Sequence, residues 1–434
     1  MRISQLYNIF QEYPRICTDT RTIEKDCLFF ALKGPSFNGN EFAEQALAEG
    51  AKYVVIDEHK FNRDDARYIC VPDVLTTLQE LARFHRDQLT IPVIGITGTN
   101  GKTTTKELLL SVLSQKFKTL ATRGNLNNHI GVPLSLLSLP KEAEIAIIEM
   151  GANHLHEIKQ LCEIAKPTHG LITNVGKAHL EGFGSYEGVK QTKSELYAYL
   201  QEHQGVVFIQ GDNPELLELA ERKHIRNPIT YGTSSKNTVQ GGIIQTAPLI
   251  RIYWQSIDSV EQQEVQTQLT GTYNLENMLS AVSVGLHFGL SATQVNQGLI
   301  NYVPTNNRSQ IVQTDKNQII ADFYNANASS MSAALDNLSH IGSGRKAVIL
   351  GDMFEMGEDS KMEHEILRDK AIKLQFDKLI FVCPTFYEIR DDRGAYFETV
   401  DHLIEELEQH PITEHTVLLK ASRGMAFESI LSVL

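Results

Sequence analysis

The sequence predicts an α/β protein of three units, and three observations carry that expectation. Short apolar runs alternate with helical patterns along most of the chain, the order that builds a mostly parallel sheet covered on both faces. One such run, Val93-Ile94-Gly95-Ile96-Thr97, ends in the turn Gly98-Thr99-Asn100-Gly101 and continues as Lys102-Thr103-Thr104-Thr105. At 434 residues the chain also exceeds what one hydrophobic core usually organises.

Composition narrows the class. With 42% hydrophobic and 21% charged residues, the chain reads as a soluble globular protein. A net charge of −13 disfavours nucleic-acid binding, which needs a positive surface, but leaves room for a local anion site. Five cysteines (Cys17, Cys27, Cys70, Cys162, Cys383) are scattered and never closely paired. That argues against a disulfide framework or a zinc site and for a reducing compartment. The N-terminus lacks the apolar core of a leader, and no apolar run approaches membrane-spanning length. A cytoplasmic protein with no membrane span is expected.

The first unit covers residues 1–88. Residues 27–32 form a buried-strand pattern, 33–40 read as a loop, 41–49 as helix, 52–57 as strand and 75–89 as helix. Thr90-Ile91-Pro92 marks the boundary. Asp19 and Arg21, on spacing alone, read as a surface ion pair.

The central unit, residues 89–303, has strand patterns at 93–97, 144–150, 170–174, 205–210 and 229–231. Helical patterns fall at 102–115, 134–139, 155–165, 186–202 and 215–223. A largely parallel sheet follows, with ligands expected at the strands' C-terminal ends. Residues 241–269 depart from the pattern as a small antiparallel excursion, and 272–290 return to helix. The last unit, 304–434, alternates again, with strands at 318–323, 346–350, 378–382 and 416–420. It reads as a smaller open α/β domain.

The turn after residue 97 is the strongest chemical signal. Strand, glycine turn and helix N-terminus together present backbone N–H groups and a positive helix end to phosphate; Lys102 can neutralise that phosphate and Thr103 can bind Mg²⁺. The strict eight-position phosphate loop places glycine six residues before the lysine, where this chain has Ile96. Gly98 and Gly101 instead bracket two residues in a tighter form.

Other candidates depend on this loop. Glu149 closes the apolar run Ile145-Ala146-Ile147-Ile148, and a carboxylate at that sheet end can hold Mg²⁺. His179 lies in a Gly-rich loop after a strand, also at the active edge, although a lone His is more often structural. Lys193 by itself reads as a solvated helix cation. The Asn-rich strings around Asn125, Asn127 and Asn128, around Asn274 and Asn277, and at Tyr324-Asn325-Ala326-Asn327 suit either polar-ligand reading or turn formation.

Taken together these strings resemble the Mur ligases, cytoplasmic amide-forming enzymes of peptidoglycan synthesis. Thr97-Gly98-Thr99-Asn100-Gly101-Lys102-Thr103-Thr104 is similar to the family's ATP loop. Four further strings resemble the members that add D-alanyl-D-alanine to UDP-N-acetylmuramoyl-tripeptide: residues 124–133, 178–185, 324–327 and 350–357. Thr18-Asp19-Thr20-Arg21 and Lys420-Ala421-Ser422-Arg423-Gly424 match as well, so the likeness spans all three units. The rivals are relatives that join another amine, such as diaminopimelate- or lysine-adding ligases and folylpolyglutamate synthases. An ATP-binding module without turnover, or a simple kinase, would be a different class.

The resemblance implies an N-terminal domain for the uridine nucleotide, a central ATP domain and a Rossmann-like C-terminal domain that brings D-alanyl-D-alanine. It implies that Gly98, Thr99, Asn100, Gly101, Lys102, Thr103 and Thr104 bind ATP phosphates, with Asn274 and Asn277 on the adenine side. Arg308 and Asp322 match positions that meet the nucleotide. Thr103, Glu149, His179 and Lys193 match the ligands of two Mg²⁺ ions, Lys193 as a carbamate formed with CO₂. Thr20, Arg21, Asn127, Asn128, Tyr324 and Asn325 fall where substrate contacts are expected. Lys102, His179 and Lys193 are the implied catalytic set, and a monomer is the family expectation. Three places depart from the pattern: Ala321-Asp322 where two acids are common, Asn40 in place of His, and Asn306-Asn307-Arg308 in place of Gly-Arg.

Overall fold

The computed structural model describes residues 1–176, 180–247, 249–305, 307–342, 344–354 and 356–434. Among these residues the largest sheet has nine strands. Its spatial order runs from an edge at Thr119–Ala121 through Ile145–Glu149, Val93–Thr97, His169–Ile172, Val206–Gln210, Ile229–Gly232 and Val239–Gln245, all mutually parallel. Arg251–Ser256 and Gln263–Gln266 follow as antiparallel strands. The expected antiparallel excursion therefore extends the central sheet rather than standing apart.

Val93–Thr97 and Ile145–Glu149 are buried along their whole length. Helices cover both faces there, which is why these strands read as continuous apolar runs rather than alternating ones. The chain leaves Val93–Thr97 toward one edge, returns through Ile145–Glu149 on one side, and then crosses to His169–Ile172 on the other. Val93–Thr97 thus stands at the switch point of the sheet, where open α/β sheets leave a crevice beyond the strand ends.

The first unit carries a four-stranded parallel sheet, Ile16–Cys17, Leu28–Phe30, Tyr53–Ile56 and Tyr68–Cys70. Its helix Val74–Asp87 packs against Gly131–Leu137 and Glu157–Ala165 of the central unit. One apolar cluster runs from Leu6 and Leu78 to Ile148, Leu161 and Leu196, so these two units share a core. The last unit has a six-stranded sheet in the order Gln310–Gln313, Gln318–Ala321, His415–Lys420, Arg345–Leu350, Lys378–Val382, Ala395–Phe397. All of its pairs are parallel except the first.

Several local expectations change. Residues 33–40 are not simply a loop, because Lys33–Gly34 and Phe37–Asn38 pair as a short hairpin. Ile3–Glu12 is a helix that the sequence reading passed over. The helix expected at 134–139 begins at Gly131, whose N–H, with that of Ile130, is accepted by Asn128 Oδ1. The short edge strands Thr119–Ala121 and Ala395–Phe397 offered too few residues for a periodic signal.

At the far end of the central sheet, His169 Nε2 lies 3.2 Å from His287 Nε2, and Thr168 Oγ1 is 2.8 Å from His169 Nδ1. Burial, and then the neighbouring His287, push the His169 pKa down to about 4. The unfolded chain takes up a proton near pH 6.5 that the fold refuses. The pair's contribution is therefore complete above pH 6.5 and lost as pH falls from there toward 4. Urea titrations should show stability dropping over that window with a slope on the order of 1 kcal/mol per pH unit. The variant His169→Asn should flatten it; an unchanged pH dependence in that variant would count against the pair.

Candidate active site

The turn after Val93–Thr97 is set by two glycines. Gly98 has φ 143° and Gly101 φ 79°, a region that favours glycine. A Cβ on Gly98 would sit 2.0 Å from Thr173 Oγ1, and one on Gly101 would sit 2.7 Å from Asn277 Oδ1. Ile96 is still inside the strand, so the turn begins two residues later than a loop with glycine there would allow. The turn is tied to the next strand's exit: Thr99 N donates to Asn174 O at 3.0 Å and Asn100 N to Asn174 Oδ1 at 3.0 Å. Thr173 Oγ1 donates to Asn100 O at 2.6 Å.

Helix Lys102–Leu113 starts directly on Gly101, so its free N–H groups face the crevice. Lys102 Nζ folds back to donate to Gly98 O at 2.7 Å and Thr99 O at 2.9 Å. Burial pushes its pKa down to about 8; Glu149 opposes the shift and Arg308 adds to it. An ammonium whose hydrogen bonds go to neutral carbonyls in such surroundings is suited to receiving an anion.

Glu149 is 1% exposed. Thr103 Oγ1 donates to its oxygens at 3.0 and 3.2 Å, and Asn127 Nδ2 donates to Oε1 at 2.8 Å. A hydroxyl and a carboxylate this close, beside a phosphate-receptive turn, are the hard oxygen donors that Mg²⁺ takes, so the donor set fits that ion. Lys193, on helix Tyr186–Glu202, is 3% exposed. Among the described residues its Nζ has no hydrogen-bond partner and lies 5.5 Å from the centre of the Phe183 ring. Burial and then the nearby Lys102 push its pKa down to about 7. It is not the solvated helix cation that its local sequence suggested.

The asparagines divide between the two roles left open. Asn277 Oδ1 accepts from Thr105 Oγ1 at 3.0 Å, and its Nδ2 donates to Asn274 Oδ1 at 2.9 Å. Both therefore back the phosphate-loop helix through a buried chain. Asn128 Oδ1 accepts from Gly131 N at 2.9 Å in the turn that leads into a helix, whereas Asn127 reaches Glu149. From the last unit, Tyr324 lies under the Arg308 guanidinium at 3.7 Å, and Arg423 Nη1 donates to its hydroxyl at 3.2 Å. Asp322 Oδ2 accepts from Lys420 Nζ at 2.7 Å.

These residues face one cleft of about 730 Å³ lined by 98–104, Asn127, Asn128, Glu149, Lys193, Asn274, Asn277, Arg308, Asp322, Tyr324 and Asn325. Thr20 and Arg21 do not line it. Arg21 is exposed and grips Asp19, whose carboxyl that guanidinium lowers to about 2, the surface ion pair the spacing suggested. His179 lies outside the described residues. Sequence reading did not assign Lys420, Asn327 or Ser329. Asn327 Nδ2 and Ser329 Oγ meet Asn100 across the seam, each at 2.8 Å. No local pattern could have announced a contact between residues more than 220 positions apart.

Three family models match the chain: "Mur ligase family, catalytic domain" at residues 12–86, "Mur ligase middle domain" at 96–285 and "Mur ligase, glutamate ligase domain" at 307–431. The chain is 34% identical to the UDP-N-acetylmuramoyl-tripeptide–D-alanyl-D-alanine ligase of Bacillus subtilis strain 168, covering 96% of this chain and 92% of that one. It is 33% identical to the Escherichia coli K12 protein of the same name, covering 96% and 93%. Among solved structures, MurF from Acinetobacter baumannii matches with 31% identity and a TM-score of 0.86, covering 96% and 92%. The MurF ligase of Thermotoga maritima, solved in complex with ADP, matches with 27% identity and a TM-score of 0.85, covering 96% of each chain.

Replacing Lys102 removes the charge that lies on the turn. The variant Lys102→Ala should slow ATP turnover by about a hundredfold or more, with the thermal midpoint unchanged or higher because a partly desolvated cation is lost. A coupled ADP-release assay and a melting curve check both; turnover near wild type would reject the role.

Proposed function

The chain belongs to the Mur ligase family, and we propose that it joins D-alanyl-D-alanine to UDP-N-acetylmuramoyl-tripeptide through an acyl phosphate, using ATP, in peptidoglycan precursor synthesis. The observation that carries this reading is a single cleft lined from three directions. The phosphate turn with Glu149 forms one wall, the Asn125–Asn128 segment another, and Asp322 to Asn327 with Arg423 the third. Such a cleft lets a nucleotide, an acid and an amine meet. The full-length likeness to ligases of that name supports the choice of acid and amine.

We assign residues 1–88 to the uridine nucleotide, with Thr20 and Arg21 on its contact surface, 89–303 to ATP, and 304–434 to the amine. The helix N-terminus and Lys102 hold the ATP phosphates. The terminal carboxylate of the tripeptide attacks the γ-phosphorus, so that an O–P bond forms and the bond to ADP breaks. The amine of D-alanyl-D-alanine then attacks the acyl carbon; the C–N bond forms, phosphate leaves and a proton is released. Asn127 is placed to orient the acid beside Glu149. Arg308 and Asp322 approach the nucleotide from the last unit, and the Asn100 contacts to Asn327 and Ser329 hold that unit over the turn and keep water from the acyl phosphate.

Thr103, Glu149, His179 and Lys193 would hold Mg²⁺, two ions in all, which supplies positive charge against the transferred phosphoryl. Lys193 is assigned as a carbamate: the ammonium first gives up one proton, the neutral Nζ adds CO₂ with formation of an N–C bond, and a second proton leaves, so that the cation becomes an anion. Its deep burial with no carboxylate partner among the described residues supports this, because only the neutral amine is nucleophilic. We read the chain as a cytoplasmic monomer; no described helix is long and apolar enough to cross a membrane.

Sustained ADP release should require both UDP-N-acetylmuramoyl-tripeptide and D-alanyl-D-alanine, with a product whose mass equals their sum less one water. Multiple turnovers with tripeptide alone, or product only with another amine, would reject the assignment. Lys193→Ala should lose activity by orders of magnitude, as expected when a charge at a phosphoryl-transfer site is removed. Acetate or formate should restore part of it, and full activity in the unassisted variant would remove the carbamate.

A further inference from the structure

Lys106 lies one turn beyond Lys102 on the same helix, and its side chain is completely buried, at 0% exposure. It does not line the cleft. Its Nζ donates to Thr122 O at 2.7 Å and Gly124 O at 3.2 Å. It also lies 3.1 Å from Glu107 Oε1 and 3.8 Å from Glu149 Oε2. Packing does not call for this charge. A methionine would fill much the same volume without the cost of taking an ammonium out of water. What the charge adds is direction, because it pulls two particular carbonyls toward the phosphate-loop helix.

Those carbonyls open the segment that carries Asn125, Asn127 and Asn128 into the cleft. The rest of that segment is fastened to a different element, the end of strand Ile145–Glu149. Thr122 N donates to Ile147 O at 3.0 Å, Glu149 N to Thr122 Oγ1 at 3.0 Å, and Gly151 N to Asn127 O at 2.7 Å. Asn127 Nδ2 completes the set on Glu149. Lys106 therefore joins three parts: the helix that bears the phosphate turn, the Asn-bearing segment, and the carboxylate between them.

We propose that Lys106 is a positioning residue for the acid substrate. It holds residues 122–128 in register with the phosphate turn, so that the acid bound by that segment lies in line with the phosphoryl group held by Lys102. This rests on the assignment of the Asn125–Asn128 segment to the UDP-linked tripeptide. A displacement of that segment misplaces the acid while leaving the nucleotide's own contacts in place.

The test uses full-length Lys106→Met and Lys106→Gln, the latter keeping a donor of similar reach. Lys106→Met should raise KM for the UDP-linked tripeptide about tenfold or more, the size of one lost hydrogen bond to a charged group. KM for ATP should stay within about threefold, a much smaller free-energy change, and Lys106→Gln should recover part of the loss. Without any ligand, amides of residues 122–131 should exchange with deuterium faster in both variants, while those of the phosphate-loop helix keep wild-type rates. An equal rise in both KM values, or unchanged exchange at 122–131, overturns the proposal. So does failure of both variants to fold, which would make Lys106 a core element instead. Wild-type protein assayed in parallel separates the two readings: if it fails to turn over these substrates, the functional assignment falls, while deuterium exchange still reads the anchoring.

Discussion

The turn at Gly98 to Gly101 can exist only because two Cβ atoms are missing, and the rest of the site is arranged around that constraint. Thr173 and Asn277 fill the space that those atoms would occupy. Each then carries a hydrogen bond that stiffens the turn or its helix. The parallel sheet supplies this geometry by ending three adjacent strands at one level, so that Glu149, the turn and residues 173–176 emerge side by side.

Three lysines approach this point in a protein whose net charge is −13. Lys106 is tied to carbonyls and set near two carboxylates; Lys102 and Lys193 are desolvated, and Lys102 further depresses the protonation of Lys193. Overall charge therefore says little about the site, because a few buried cations dominate the local field where solvent screening is weakest. The arrangement stores unfavourable burial that a phosphate, or a carboxylate made on Lys193, would relieve.

The two flanking units attach to the centre by different physics. The first shares an apolar core with the central unit and adds buried polar ties, such as Arg86 to the carbonyls of Ala165 and Lys166. The last meets the centre through side-chain hydrogen bonds: Asn100 with Asn327 and Ser329, Tyr273 with Ser309, and Asn337 with Thr270. Apolar burial is lost all at once on separation, whereas hydrogen bonds can be exchanged for water at small net cost. The attachment of the last unit is therefore the one that costs less to separate.

The α/β class, the central parallel strands, the phosphate turn and the strand-end carboxylate Glu149 were legible in the sequence, because each is a local pattern of apolar period, glycine placement or strand-ending residue. The likeness to the Mur ligases was legible for the same reason, being carried by contiguous strings. Tertiary structure decided what depends on neighbours distant in the chain. It turned Lys193 from an ordinary helix cation into a desolvated amine and made Asn127 a partner of Glu149. Lys106 shows the difference most clearly. Its sequence position says only that it follows the turn, while its complete burial against Thr122, Gly124 and Glu149 exists only once the sheet has brought those residues together.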